Sequence, residues 1–335
     1  MYEYANRLAA RGHYVTLLHP IARPYKKTST PIWLKQLLFA LRGVSRPKWF
    51  ALRKDVVSQI IPSAEAQYVP DADVSICTWW EMAYMLATWP VAKGIKLNLI
   101  QDYEIWGGNE ALVEQSYSLP LKHICVSRHL QELVARKSGE KPSYLPNAID
   151  PAVFRDTVSP VKRAPHSIIM LYSTEPRKGT VYGLEALEIL KKQFTDLEVT
   201  LFGVVDPINL PRWIKYHKKP KDLAALFNNH AIFITPSVSE GWGLPSIEAM
   251  CCGCAVVCTE IGGHKDYAIH EQTALLVPPE SAMEIAKATA QLMVDQNLRL
   301  RLSAAGGSYV RKHFNWETNT DDLLELIARV LANTE

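Results

Sequence analysis

The stretch AIFITPSVSEGWGLPSIEAMCCGCAVVCTEIGG, residues 231–263, decides the fold. It opens on a short branched apolar run, turns through Gly241, Gly243 and Pro245, enters an apolar helical pattern, and returns to a second branched run, AVVCT at 255–259. Two such runs with a helix between them are the unit of a parallel sheet, since parallel neighbours need a crossover of a dozen or more residues. The rhythm extends outward in both directions, through YVTLL (14–18), DVSICT (73–78), KLNLI (96–100), HICVS (123–127), SIIMLY (167–172), EVTLF (198–202) and ALLV (274–277). Continuous rather than alternating apolar runs imply strands covered on both faces, so the fold class is α/β with doubly wound sheets.

The chain has 335 residues, 48% of them hydrophobic and 21% charged, an ordinary globular composition that excludes collagen, coiled coil and wholesale disorder. That length suits two domains. The least periodic interval, 145–165, carries Pro146, Pro151, Pro160 and Pro165 and reads as the linker. The expected division is an N-terminal domain over 1–152, a C-terminal domain over 153–317, and a last helix over 318–335 that packs back on the first domain. Helices are expected at 281–294, 297–313 and 318–331, the second weakened by Gly306 and Gly307. A doubly wound domain begins with a strand and a Gly-rich turn, yet Met1 falls inside a helical pattern closed by Gly12. The expectation is an N-terminal domain lacking its first strand, or a true start upstream, with the chain as given poorly soluble or inactive and an extended chain active.

Lys+Arg 37 against Asp+Glu 34 gives a net charge of +3, which makes no case for nucleic acid. The excess is local, because no acidic residue stands between Glu3 and Asp55 while Arg23, Lys26, Lys27, Lys35, Arg42, Arg46, Lys48, Arg53 and Lys54 do. Within 23–54, Trp33, Leu37, Leu38 and Leu41 share one helical face, with Lys35 and Arg42 off it. Such a helix suits an anionic membrane surface or a lipid-linked acceptor; the alternative is a helix packing inward with solvated cations. No apolar run approaches the ~20 residues of a membrane span, so a cytoplasmic protein, peripheral on the inner membrane face, is expected. Cys251, Cys252, Cys254 and Cys258 lie in an apolar run and, with Cys77 and Cys125, read as small hydrophobes in a reducing compartment.

AIFIT ends at the carboxyl edge of a strand, where open α/β sheets bind ligands. Gly241 and Gly243 let the backbone approach a ligand, and free amides around Gly243 and Leu244 at a helix start suit an anionic oxygen. Glu248, about a turn into that helix, can accept hydrogen bonds from a diol, and Glu240 stands before the turn. Two glutamates at this spacing also occur as capping and solvated pairs.

With the segments around it, this pattern resembles the donor site of family 4 glycosyltransferases, retaining enzymes of the GT-B fold. LPNAIDPAVF (145–154) is similar to the family's interdomain motif, and PRKG (176–179), before a helix carrying GLEAL, to its phosphate-binding loop. GGHKDYAIHEQTALLVPP (262–279) resembles the stretch after the donor site, and FNWE (314–317) the close of that domain. The resemblance is dense in the C-terminal half and thin in the N-terminal half. It implies transfer of a sugar from a nucleotide-diphosphate donor, held by the C-terminal domain, to a glycan or lipid-linked acceptor held by the N-terminal domain, in polysaccharide synthesis. It assigns Lys178 to the diphosphate, Glu248 to the ribose hydroxyls and Glu240 to the donor sugar, with the backbone of Gly241, Trp242, Gly243 and Leu244 on phosphate and sugar. Asn147, in the interdomain motif, joins the donor set. No cofactor and no metal are implied.

Two positions depart from the family. Its phosphate loop commonly has an Arg where this chain has Ser173, and Arg177 beside Lys178 is the substitute cation or else a solvated loop residue. After KLNLI many relatives have a His, whereas this chain reads Gln101, Asp102 and Glu104; Asp102 is a cleft residue or a turn residue. Asp71 and Asp73 spell a metal-binding triplet, but before their strand rather than after it, and read as a turn. GxGxxG is absent, so no nicotinamide site competes. The rival readings are an epimerase or hydrolase on the same fold and a catalytically silent subunit.

Overall fold

The computed structural model describes residues 1–25, 30–42 and 45–332; Lys26 and Lys27 of the basic segment lie outside them. The chain divides into two compact units, one of Met1–Cys125, Gln131–Leu145 and Glu317–Glu335, the other of Val126–Leu130 and Pro146–Trp316.

The first unit runs α1 (Tyr2–Ala10), β1 (Thr16–Pro20), α2 (Ile32–Leu41), β2 (Val57–Ile61), β3 (Val74–Thr78), α3 (Trp80–Ala87), β4 (Ile95–Ile100), α4 (Glu110–Ser116) and β5 (Lys122–Cys125). Helix α5 (Arg128–Ser138) and β6 (Ser143–Tyr144) follow. Its strands form two parallel sheets, β1-β2 and β3-β4-β5-β6. In α2, Trp33, Leu37, Leu38 and Leu41 are all exposed, so the helix does not bury this face. Three of the local cations are engaged: Arg23 with Glu81, Arg53 with Asp55, and Arg46 with the carbonyls of Leu52, Arg53 and Val56. The Asp71 to Asp73 turn is closed by Lys93, whose Nζ lies 2.7 Å from Asp71 Oδ1, and by the amide of Ile95 donating to Asp73 O.

The second unit runs β7 (Ser167–Leu171), α6 (Thr180–Gln193), β8 (Glu198–Gly203), β9 (Ile214–Lys218), α7 (Leu223–Asn228), β10 (Ile232–Thr235), α8 (Leu244–Cys251), β11 (Ala255–Thr259) and β12 (Leu275–Val277). Helices α9 (Ala282–Val294), α10 (Gln296–His313) and α11 (Trp316–Ala332) end the chain. All six strands are parallel, in the order β12-β11-β10-β7-β8-β9. From β7 the chain builds outward on one side, then returns to build on the other, so the order reverses between β7 and β10. Ile168, Met170, Ile232, Ile234 and Val257 are buried with Leu187 and Leu190 of α6 and Leu292 of α9 in one core.

Beyond residue 316, α11 joins the first unit, where Glu317 pairs with Arg7 at 2.8 Å and Arg11 at 3.1 Å. Strands β2, β6 and β9 were not legible as apolar runs. β9, IKYHK, is a sheet edge whose lysines face water, a common protection against edge pairing. The doubtful helix over Gly306 and Gly307 is continuous. A Cβ at Gly306 would lie 2.7 Å from Thr273 O, and one at Gly307 2.8 Å from Met250 O, so the glycines permit close packing rather than break the helix. All six cysteines are free, and burial pushes the Cys251 and Cys254 thiols up to about 12, which keeps them inert.

Candidate active site

The loops that follow β7 and β10 leave the sheet at neighbouring carboxyl ends, on either side of the order reversal. That is where a doubly wound sheet opens a crevice for a ligand. The first loop ends at Gly179, which stands at the amino end of α6 with φ +61°; the second ends at Gly243, at the amino end of α8 with φ +92°. Neither helix has a side-chain cap; Tyr182 and Gly183 donate back to Gly179 O and Ser246 to Gly243 O, so the first amides, Thr180 and Val181 of α6 and Leu244 of α8, face solvent or ligand. Pro245 in the first turn of α8 brings no amide and presets the helical φ.

The two loops are tied together. Val238 and Ser239 donate their amides to Arg177 O at 2.8 and 3.2 Å. Lys178 Nζ donates to both Glu240 oxygens, each at 2.8 Å, and Ser237 Oγ donates to Glu240 Oε1 at 2.9 Å. The Lys178 and Glu240 side chains are only 17% and 10% exposed, so water screens the pair weakly. Arg177 bonds Glu175 at 2.8 Å and holds Nη1 4.0 Å from Glu240 Oε2, which brings a second cation to the same carboxylate. Thr180 Oγ1 donates to Ser173 O and accepts the Ser173 amide, while Ser173 Oγ accepts the amide of Glu175. Ser173 thus shapes the loop. It also lines an open cavity of about 540 Å³ whose carboxylates are Glu175, Glu185 and Glu188, with no Lys, Arg or His in its lining to receive a diphosphate.

Glu248, in α8, is half-buried, and its carboxyl makes no hydrogen bond among the described residues. Burial pushes its pKa up to about 7. Leu244 is exposed at the helix start, and Gly241 is buried in the turn before it. The Trp242 ring is 2% exposed and set edge-on against Tyr267 and Phe314, which leaves its backbone, the part the resemblance assigns to the ligand, for the turn.

His264 and Tyr267 were not anticipated. Both are fully buried beneath the turn: His264 Nδ1 lies 2.8 Å from Thr259 O, and Tyr267 donates to Gly243 O at 3.2 Å. Burial pushes the His264 pKa down, which favours a neutral ring donating through Nδ1. A Cβ at Gly243 would sit 2.6 Å from Tyr267 Oη and 2.9 Å from the His264 ring, so these residues fix the turn that Gly243 makes. Gly263 fits the same rule, since its Cβ would lie 2.3 Å from Glu240 O. The paired glycines were visible in the sequence, but nothing there showed which backbone would lie against them.

Lys178, Glu240, Arg177 and the 241–244 turn are therefore brought together, with Glu248 in the helix that follows. Asn147 is half-buried in the segment leading to Ile149, which bridges to Asn315, and makes no hydrogen bond with this cluster. Asp102 belongs to the other unit, where its Oδ1 accepts the Tyr103 amide at 2.9 Å, as a turn residue does. Two residues on, Glu104 is buried, accepts the Trp80 amide at 2.8 Å and is pushed up to about 7 by burial. Among the described residues no group of three or more His, Cys, Asp or Glu side chains could hold a metal ion, and no helix is long and apolar enough to cross a membrane.

Residues 157–308 match the family described as glycosyl transferases group 1. A D-inositol 3-phosphate glycosyltransferase of Jonesia denitrificans is 26% identical over 252 residues, covering 66% of this chain and 59% of that protein. An O-antigen chain mannosyltransferase B of Escherichia coli is 32% identical over 110 residues, covering 32% of this chain and 28% of its own. The chain thus spans less than two thirds of the length of these curated relatives. Among solved structures, sucrose-phosphate synthase from Thermosynechococcus elongatus superposes with TM-score 0.74 at 18% identity, over 99% of this chain and 92% of its own. Anabaena HepE in complex with UDP gives 0.72 at 14% identity, over 95% and 100%. The chain has the GT-B fold, and the match to the group 1 glycosyl transferases lies within its C-terminal unit.

Proposed function

We propose that this protein moves a sugar from a nucleotide-diphosphate-sugar donor to an acceptor hydroxyl, with retention of anomeric configuration. The observation that carries the reading is the Lys178–Glu240 pair at the order reversal of the sheet, flanked by two uncapped helix starts. A departing diphosphate accumulates negative charge on its oxygens, and fixed cations and amides stabilise that charge without reorganising. Lys178 and Arg177 supply the cations, α6 and α8 the amides. Glu240 orients Lys178 and accepts hydroxyls of the donor sugar. Both its oxygens are occupied by Lys178 and one also by Ser237, which favours attack assisted by the leaving phosphate over a covalent intermediate on this carboxylate. No metal or cofactor is required in this scheme. Asn147 and Ser173 are assigned to the donor set only through the loops they shape.

The deciding experiment is incubation with candidate nucleotide sugars, with and without added acceptor. Transfer that needs the acceptor and survives a chelator supports the reading. Epimerised or hydrolysed sugar without acceptor, or donor binding without turnover, overturns it.

The acceptor belongs to the N-terminal unit, with Asp102 on its side, and is a glycan or a lipid-linked sugar of a cell-surface polymer. The exposed apolar face of α2 and the nearby Lys35, Arg42, Lys48 and Lys54 support peripheral contact with an anionic bilayer on the cytoplasmic side. Co-sedimentation with anionic but not zwitterionic vesicles, lost in Trp33→Ser with Leu41→Ser, is the expected result; equal sedimentation with both removes the membrane from the scheme.

The burial of Glu248 adds a pH dependence. As a carboxylate it accepts two hydrogen bonds from the donor ribose, but in the free protein it is protonated below about 7. Donor affinity is therefore expected to weaken as pH falls through 7, by up to about tenfold per unit, and to level off above it. Glu248→Gln should bind weakly and flatten the profile, with little change in turnover at saturating donor. A donor titration between pH 5.5 and 8.5 that slopes equally in both proteins removes Glu248 from the ribose site.

A further inference from the structure

A strip of aromatic side chains lies at the carboxyl ends of β3 and β4, the end at which parallel strands meet their ligands. Trp79 follows β3 with φ +84°, a left-handed conformation that a bulky residue rarely adopts and that recurs at ligand sites. The turn it makes buries Trp80, 4% exposed, and leaves the Trp79 ring half-buried. Beyond β4, Trp106 sets its ring against Trp79 at 5.3 Å and 63° and is 52% exposed. Beyond β1, Tyr25 stacks on Trp80 at 5.1 Å and is 50% exposed. The Arg23 guanidinium sits 5.5 Å from the centre of the Trp79 ring.

The backbone keeps this strip uncovered. Gly107 and Gly108 lie directly against the two indoles, since a Cβ at Gly107 would be 2.4 Å from Trp79 Cη2 and one at Gly108 2.4 Å from Trp80 Cζ2. Both glycines are exposed, so the loop passes the rings without laying a side chain over them. The indole N–H groups of Trp79 and Trp80 are buried and donate to nothing among the described residues, and such unmet donors are uncommon. Polar groups stand beside the rings. Arg23 donates to Glu81 Oε2 at 2.8 Å with its side chain still 37% exposed. Asp102 and Glu81 both act on Glu104 as like charges, which places three carboxyls close together. A pyranose matches this surface: one face of the ring is C–H groups that lie on an aromatic ring, and its rim hydroxyls both donate and accept. A fatty chain would strip water from the carboxyls without replacing its hydrogen bonds. A phosphate would meet Asp102 and a guanidinium already balanced by Glu81.

We propose that Trp106, Trp79 and Tyr25 form a stacking subsite for an uncharged pyranose ring of the acceptor, with its hydroxyls met by Arg23 and Asp102. That the bound sugar is the acceptor rests on the transferase reading; that a sugar binds here does not.

The test is a saturation-transfer NMR titration of the 335-residue chain, without nucleotide sugar, using methyl glucoside, methyl mannoside, maltose and lactose, with glucose 6-phosphate as the charged probe. At least one neutral sugar should bind, with the strongest transfer to its ring C–H protons. Its affinity should fall by about tenfold or more in Trp106→Ala, recover in Trp106→Phe, and fall in Tyr25→Ala, which keeps the test valid should one variant fold poorly. Failure of every neutral sugar to bind, or equal affinity in the chain and all three variants, overturns the subsite. Glucose 6-phosphate bound more tightly than every neutral sugar overturns the uncharged class. A dimer lost in Trp106→Ala with sugar affinity unaltered gives the strip to a second copy and overturns the occupant. Sugar binding that depends on Trp106 without any transfer supports the subsite and sinks the transferase reading, whereas transfer with the same acceptor KM in Trp106→Ala does the reverse.

Discussion

Lys178→Ala is expected to lower turnover by about 10- to 1,000-fold, the range found when a preorganised group that meets developing charge is removed. Two consequences of the geometry combine. The diphosphate loses its nearest cation, and Glu240, whose side chain is 10% exposed, loses the partner that bonds both its oxygens. An uncompensated carboxylate beside the diphosphate then repels the donor, so KM should rise as well. Arg177→Ala should cost less, because its guanidinium stands 4.0 Å from Glu240 and is partly engaged by Glu175. A double-mutant cycle separates the effects. If Glu240 serves mainly to hold Lys178, the pair Lys178→Ala with Glu240→Gln should be no worse than Lys178→Ala alone, and the donor KM should recover. Unaltered kcat/KM in Lys178→Ala would remove this loop from the chemistry.

Gly179→Ala is expected to be at least as damaging, through the backbone. At φ +61° an alanine is mildly strained, at a cost of about 1 kcal/mol. The larger problem is that its Cβ would lie 2.0 Å from Pro236 O, so the loops after β7 and β10 have to separate. Those loops carry the Arg177 contacts with Val238 and Ser239, and the Lys178 contact with Glu240. A displacement of even about 1 Å in a catalytic constellation costs on the order of 100-fold in rate. The expected outcome is a loss of activity of that order or more and a Tm lower by several degrees, from about 2–3 kcal/mol of destabilisation. Gly139→Ala is the control: φ there is +78° but nothing lies within 4 Å of the added Cβ, so only the backbone strain remains. If the two variants lose equal stability and equal activity, the approach of Gly179 to Pro236 is not what the site depends on.

These tests rest on different amounts of sequence information. Lys178 and Glu240 were both legible as candidates through the resemblance of PRKG and of the Gly-rich helix entry to known donor-site motifs. Their mutual bond was not, since the two residues are 62 positions apart in the chain and meet only because β7 and β10 are neighbours. Trp242 stood in the same motif and was read through its backbone alone; that its ring is held in the core by Tyr267 and Phe314 was not legible. Its neighbours in the motif describe its backbone, and its side chain answers to residues 25 and 72 positions further on. His264 and Tyr267 were missed for the matching reason: they act on Gly243 from the far side of a strand.

The sequence by itself determined the class of the fold. Runs such as SIIML and AVVCT are apolar without alternation, and only a sheet covered on both faces buries all of such a run. It also determined where helices begin at Ser281 and Asp295, whose side chains cap α9 and α10, because capping is a contact over three residues. Tertiary structure alone decided the strand order and the continuity of α10 through Gly306 and Gly307. Each of these depends on which backbone lies alongside another. A parallel sheet sets that through hydrogen bonds between strands separated by a whole crossover, and no local pattern of residues records it.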